Sequence, residues 1–188
     1  RLVSDWSSDV CSSDLVLISG SAVGWYGDGG ERELDEDAQP VIRDFASQLC
    51  ESWEETAQRA EELGIRVVIV RTGLVLANPG GFLQRLLLPF KLGLGGPIGN
   101  GRQWMSWIHL RDQVALIDFL LNQPDARGPY NACAPHPVRN REFAKTLAGV
   151  LHRPAFMPLP APVLRVLMGE MSEMLLGGQR VQDRKSVV

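Results

Sequence analysis

The feature that most constrains this chain is a pair of short apolar runs, each ending in small polar residues and separated by one helical stretch. Residues 16–18 read Val-Leu-Ile and give way to Ser19, Gly20 and Ser21, with Tyr26 and Gly27 close behind. Residues 65–70 read IRVVIV and give way to Arg71, Thr72 and Gly73. An apolar run without alternation suits a parallel strand covered on both faces. Between the two runs, Phe45, Leu49, Trp53, Ala57 and Ala60 recur at helical spacing. This predicts a helix over residues 43–63 with that stripe toward the core, Asp44 as N-cap and Gly64 as stop. Strand, helix and strand make a βαβ unit, because parallel strands require such a crossover. The expected class is α/β with a doubly wound parallel sheet, in which ligands sit just past the carboxyl ends of the strands. A strand that simply ends in a turn is the plainer reading of either run alone.

The remaining segments extend this pattern. The acid- and glycine-rich residues 28–40 predict a solvated loop, since the carboxylates lack the spacing of a calcium loop. Residues 91–101, KLGLGGPIGNG, follow an apolar helical stretch and hold no Gly-Lys-Ser/Thr, so they predict a tight loop and not a phosphate cradle. His109 ends the short segment 102–110; a lone histidine there is more often a hydrogen-bonded structural group than a catalyst. Helices are predicted over residues 110–122, from Asn140 as N-cap to about 151, and over 161–168, with a strand at 128–132 and an extended piece at 137–139.

Composition excludes several classes. A net charge of −3 without a basic patch argues against nucleic acid and anionic membrane as partners. No apolar run approaches the ~20 residues of a membrane span, because Pro89 and Lys91 interrupt the longest candidate. Cys11, Cys50 and Cys133 are odd in number and show no metal-ligand spacing, which predicts a reduced, cytoplasmic setting and no metal. Residues 5–15, DWSSDVCSSDL, repeat WSSD as CSSD and resemble the read-through of a sequencing-library adapter. Residues 183–188, DRKSVV, resemble the same adapter read from its other end. Residues 1–15 and 183–188 are therefore set aside in reading the fold.

Six motifs in order carry a resemblance: SGSAVGWYGD, LCESWE, RTGLVL, LGLGGPIGNGRQWMSWIH, PVRNREF and GEMSEMLLGGQRV. Together they resemble the extended short-chain dehydrogenase/reductases, and within them the atypical bacterial proteins similar to NAD-dependent epimerases and dehydratases. The resemblance implies the C-terminal part of a Rossmann-type doubly wound sheet plus a small mixed substrate domain. Residues 16–132 would be Rossmann, with an interleaved substrate segment at about 80–109, and residues 133–182 the substrate domain. The glycine-rich dinucleotide loop and the residue choosing NADP or NAD would lie upstream of Val16, so this polypeptide alone is expected to bind dinucleotide poorly. By the same resemblance Ser19, Gly20, Ser21, Arg71, Thr72, Gly73, Leu74 and Val75 would face the cofactor. Gln103, Trp104, His109 and Arg139 would line the pocket of an unknown small-molecule substrate, Arg139 pairing with an anionic group through its guanidinium fork. For each of these four a structural or surface role is the competing reading. A homodimer is the assembly left open.

One departure bears on chemistry. Related enzymes use a tyrosine as general acid/base with a lysine four residues on, which lowers the phenol pKa. This chain has only Tyr26 and Tyr130, followed four residues later by Gly30 and Ala134; Phe45 and Leu49 stand at the matching positions. Ser21 and Tyr26 are then the catalytic candidates, Tyr26 as a displaced acid needing a cationic neighbour, or else packed in its turn. Two readings follow: an NAD(P)-dependent epimerase or oxidoreductase with an atypical acid, acting on a carbonyl or nucleotide-sugar-like compound, and a dinucleotide-binding sensor without catalysis.

Overall fold

The computed structural model describes residues 15–78, 80–168 and 176–185. The elements run β1 (Val16–Ala22), a 3-10 turn (Val23–Tyr26), β2 (Glu33–Leu34), α1 (Phe45–Gln58) continued by a 3-10 turn (Arg59–Leu63), β3 (Arg66–Thr72) and β4 (Leu74–Leu76). There follow α2 (Gly81–Lys91), β5 (Trp104–Met105), β6 (Trp107–His109), α3 (Leu110–Asn122), β7 (Gly128–Ala132), β8 (Val138–Arg139), α4 (Asn140–Val150), α5 (Ala161–Met168) and β9 (Arg180–Val181). Residues 5–14, most of the first adapter-like segment, and much of the GEMSEMLLGGQRV motif lie outside the described residues.

The central sheet is parallel, in the order β1-β3-β7. The side chains of β3 alternate between two cores. Val68 and Val70 pack with Leu116 and Leu120 of α3, while Val67 and Ile69 pack with Ala57 of α1. Helices thus cover both faces, the doubly wound α/β arrangement expected from the two apolar runs. Burial of each such side chain contributes roughly 1.5–3 kcal/mol, which makes β3 the anchor of the fold.

Local signals explain the element ends. Asp44 caps α1, its Oδ1 accepting from the Ser47 N–H at 2.8 Å, and Gly64 closes the following turn at φ 76°. Gly27 takes φ 68° after Tyr26, where a Cβ would strike the Ile42 carbonyl. The glycine-rich loop is tight for a packing reason: a Cβ on Gly96 would strike the Met157 backbone.

Several sequence expectations are corrected. The strand expected over 16–18 runs on to Ala22, and that over 65–70 to Thr72, so Ser19, Gly20, Ser21 and Arg71 are strand residues. β1 is not covered on both faces: among the described residues it is an edge strand, and Leu17 and Gly20 are exposed. In α1 and the turn that continues it, the apolar stripe is buried only at its C-terminal end, where Ala57 and Ala60 pack against Val67 and Ile69. Ser47, Cys50, Glu54 and Ala57 face inward, whereas Phe45, Leu49 and Trp53 are exposed. Asn140 is the first residue of α4 instead of its cap, because its Oδ1 accepts from the Ile98 N–H at 2.7 Å. The acidic loop is not simply solvated: Glu33 and Leu34 pair in parallel with Arg180 and Val181, and Glu36 is buried.

Among the contacts that tie the segment at 80–109 to the C-terminal part, β5 pairs antiparallel with β8, Ile98 bridges Leu159 and the Ser106 hydroxyl donates to the Gln179 carbonyl. Among the described residues no helix is long and apolar enough to cross a membrane.

Candidate functional site

At the carboxyl ends of β1 and β3 lies a buried polar network. Arg71, 3% exposed at the end of β3, donates Nε and Nη2 to the Glu54 carboxylate at 2.9 and 2.8 Å. The Ser21 hydroxyl donates to the same carboxylate at 2.7 Å. Arg71 Nη1 donates to the Tyr26 hydroxyl at 3.1 Å, and that hydroxyl donates to Asn131 Oδ1 at 2.9 Å. The guanidinium also lies 3.5 Å over the Trp25 ring. A buried arginine in a strand requires a carboxylate, and the crossover helix supplies it from one turn of α1. Glu54 thereby joins α1 to β1 and β3, and Tyr26 with Asn131 extends the link to β7.

These contacts set the protonation of the group. Burial pushes the Tyr26 phenol above its ordinary range, outweighing the pull of Arg71. Arg71 is held above its ordinary value by its hydrogen bonds to Glu54 and the charges of Tyr26 and Glu54, against the cost of burial. Burial likewise raises the Cys50 thiol, one turn before Glu54.

Beside this network a cavity of about 350 Å³ opens at the same sheet edge. Ala22, Val23 and Gly24 line it after β1, Thr72, Gly73 and Leu74 after β3, and Phe45, Leu49 and Trp53 form the α1 wall. Gln103 and Trp104 close it from the segment joined to the C-terminal part. Thr72 Oγ1 accepts from Gln113 Nε2 at 3.2 Å and donates only a long 3.4 Å bond to the Val70 carbonyl.

The model of the NAD dependent epimerase/dehydratase family matches residues 7–133, more than half the chain. The chain belongs to that family. A domain of unknown function, DUF1731, matches residues 159–185, and within it Arg184 pairs with Asp35 at 2.8 Å. The epimerase family protein YfhF of Bacillus subtilis is 41% identical over 172 residues, covering 92% of this chain and 56% of that protein. An epimerase family protein of Staphylococcus aureus is 41% identical over 170 residues, covering 90% and 57%. The chain thus spans about half the length of these relatives. Among solved structures, the human epimerase family protein SDR39U1 (isoform2) with NADPH aligns at TM-score 0.80 and 38% identity, covering 88% of this chain and 56% of that one. A nucleoside-diphosphate sugar epimerase from Corynebacterium glutamicum aligns at TM-score 0.64 and 31% identity, covering 87% and 38%.

Within this epimerase-family fold the sequence-derived candidates separate into groups. Thr72, Gly73, Leu74, Gln103 and Trp104 meet at the cavity. Ser21, Tyr26 and Arg71 lie in the buried network instead, Ser21 directly beside Arg71 across the β1–β3 register. Ser19 and Gly20 pair with Ile69 and Val70 inside the sheet, and Val75 pairs with Ile108 between β4 and β6. His109 caps α3, its Nδ1 accepting from the Arg111 N–H at 3.2 Å. Arg139 binds Glu31 at 2.6 and 2.8 Å, donates to the Arg102 carbonyl and stacks 4.1 Å over Trp104, so its fork is taken within the chain. The hydrogen bond from Arg139 holds the Glu31 carboxyl below its usual range. Sequence reading missed Glu54, Asn131 and the α1 wall. An arginine directly after a six-residue apolar strand was the available signal for Glu54, since it demands a buried anion nearby.

Proposed function

We propose that this protein binds NADP or NAD and passes a hydride between the nicotinamide and a small carbonyl or sugar-like substrate, without a tyrosine–lysine pair. The observation that carries this reading is the cavity at the carboxyl ends of β1 and β3, the place where an open α/β sheet binds its ligand. Its volume of about 350 Å³ suits the nicotinamide end and a small substrate, at the low end of the ~300–1,000 Å³ range of ligand sites. Ala22 to Gly24 and Thr72 to Leu74 would hold that end, since Gly24 and Gly73 leave room for a flat ring. The nucleotide, when bound, supplies the hydride acceptor or donor. The β5–β8 pair and the Ile98–Leu159 bridge support residues 80–109 and 133–182 acting as the substrate side of a Rossmann domain at 16–132. Cys50 and Cys133 are free thiols, which favours a reducing, cytoplasmic setting.

The chain's own residues divide the work. The Thr72 hydroxyl, which accepts from Gln113 and donates only a long bond, turns its proton to the substrate carbonyl. Ser21 and Tyr26 act as positioning groups: each donates its proton inside the network, and the raised Tyr26 pKa runs opposite to the shift a phenolic acid/base needs at neutral pH. One observation favours the second reading, a dinucleotide-binding sensor: Phe45 and Leu49 stand in the cavity wall and cannot titrate. The test is to incubate a chain of the relatives' full length that carries this segment with NADPH or NAD and a panel of carbonyls and nucleotide sugars. Turnover that falls roughly ten-fold or more in Thr72→Val, while NADPH binding persists, supports the enzyme. Tight cofactor binding without turnover selects the sensor, and absence of both binding and turnover removes both readings.

A further inference from the structure

We infer that the compound this cavity accepts is an uncharged aromatic or otherwise apolar carbonyl compound, and not a nucleoside-diphosphate sugar. The inference rests on the preceding reading that the cavity is the reaction site. Its first support is the α1 wall. Phe45, Leu49 and Trp53 of that helix line the cavity together. Phe82 of α2 and Trp104 with Met105 of β5 stand among the other lining residues, so rings border the space from three elements. An aromatic ligand gains both apolar burial and ring-to-ring contact in such a place.

The second support is charge. Among the described lining residues the ionisable carboxyls are Asp28 and Asp44, and there is no lysine, arginine or histidine. A diphosphate is recognised by guanidinium or ammonium groups or by a free helix N-terminus. Of the nearby guanidiniums, Arg139 pairs with Glu31, Arg71 with Glu54 and Arg180 with Glu33, although Arg180 Nε keeps no hydrogen-bond partner among the described residues. The N-terminus of α1 does open on the cavity, through Phe45 and Ala46, but Asp44 caps it with its own carboxylate. An incoming diphosphate would sit beside two carboxylates with no opposite charge among the described lining residues to meet it. A neutral ring meets no such opposition.

Calorimetric titration of a chain of the relatives' full length that carries this segment, with naphthaldehyde and, separately, with UDP-glucose, tests this. The expected result is saturable naphthaldehyde binding at least about ten-fold tighter than UDP-glucose, a gap of roughly 1.4 kcal/mol. Trp53→Ala and Phe82→Ala should each weaken naphthaldehyde binding several-fold, while Val150→Ala, on the exposed face of α4, leaves it unchanged. Phe82→Arg should narrow the gap to UDP-glucose. Equal or tighter UDP-glucose binding in the unaltered protein overturns the inference, as does naphthaldehyde binding indifferent to both ring deletions. Following NADPH absorbance in parallel separates the two claims. Naphthaldehyde binding without NADPH consumption removes the oxidoreductase reading alone, whereas NADPH-dependent turnover of UDP-glucose in preference to naphthaldehyde removes this inference alone.

Discussion

Replacing Glu54 by leucine should be among the most damaging single changes in the described residues. The carboxylate accepts from Ser21 at 2.7 Å and from Arg71 at 2.9 and 2.8 Å, and it is 5% exposed. Three charge-assisted bonds at roughly 1.5–3 kcal/mol each would sum to as much as ~9 kcal/mol if they added. They do not add, because Arg71 keeps its bond to Tyr26 and its stacking on Trp25. The expected loss is therefore about 3–5 kcal/mol, the cost of leaving one member of a buried ion pair unpaired. Against a total stability of ~5–15 kcal/mol this leaves a marginal protein. Glu54→Leu combined with Arg71→Met removes both charges and should recover most of the loss, with a coupling energy of about 2–3 kcal/mol. Urea unfolding followed by circular dichroism measures all four corners of this cycle. A Glu54→Leu variant within ~1 kcal/mol of the parent, or a double variant whose losses simply add, would refute the account of this network.

Two further outcomes follow from the same buried carboxyls and thiols. Burial, with Asp183 adding to it, raises the Glu36 pKa above its usual range; its stabilising contribution is thus complete below the unfolded value of ~4.3 and is lost as pH rises through the folded value. Glu36→Gln, which can still accept from the Asn131 N–H, should accordingly match the parent in acid and exceed it in stability at neutral pH; a gap that shrinks or reverses between those conditions contradicts this. The Cys133 thiol is pushed up to about 12 by burial and by Asp183 and Glu36, so iodoacetamide at mildly alkaline pH should leave it unlabelled in the folded protein and label it in urea, as read by peptide mass mapping. Labelling of Cys133 in the folded state at the rate seen in urea would show the thiol to be open.

What the sequence made legible was whatever local chemistry fixes. The Asp44 cap and the Gly64 stop follow from side-chain reach and positive φ, and the helix at residues 110–122 appears with the bounds its periodicity predicts. The parallel pairing of β1 and β3 follows from two apolar runs joined by one helix. The rest depends on contacts between distant residues. Ser21 meets Glu54 across 33 positions, and Tyr26 meets Asn131 across 105, which no spacing rule anticipates. Helical periodicity correctly finds an apolar stripe at Phe45, Leu49 and Trp53, but it reports polarity and not destination. The ion pair with Arg71 turns the Glu54 face inward, and the stripe is left to wall the cavity. The contacts of Arg139 and His109 are likewise not announced by spacing. Both are polar groups near a cleft in sequence order, and Glu31 and the start of α3 respectively occupy them.

The measurement that bears most directly on the central claim is the fate of NADPH absorbance when a chain of the relatives' full length that carries this segment is mixed with NADPH and naphthaldehyde. The account predicts consumption of NADPH above the protein-free rate, reduced roughly ten-fold or more by Thr72→Val. NADPH that binds but is not consumed with any carbonyl in the panel would contradict it.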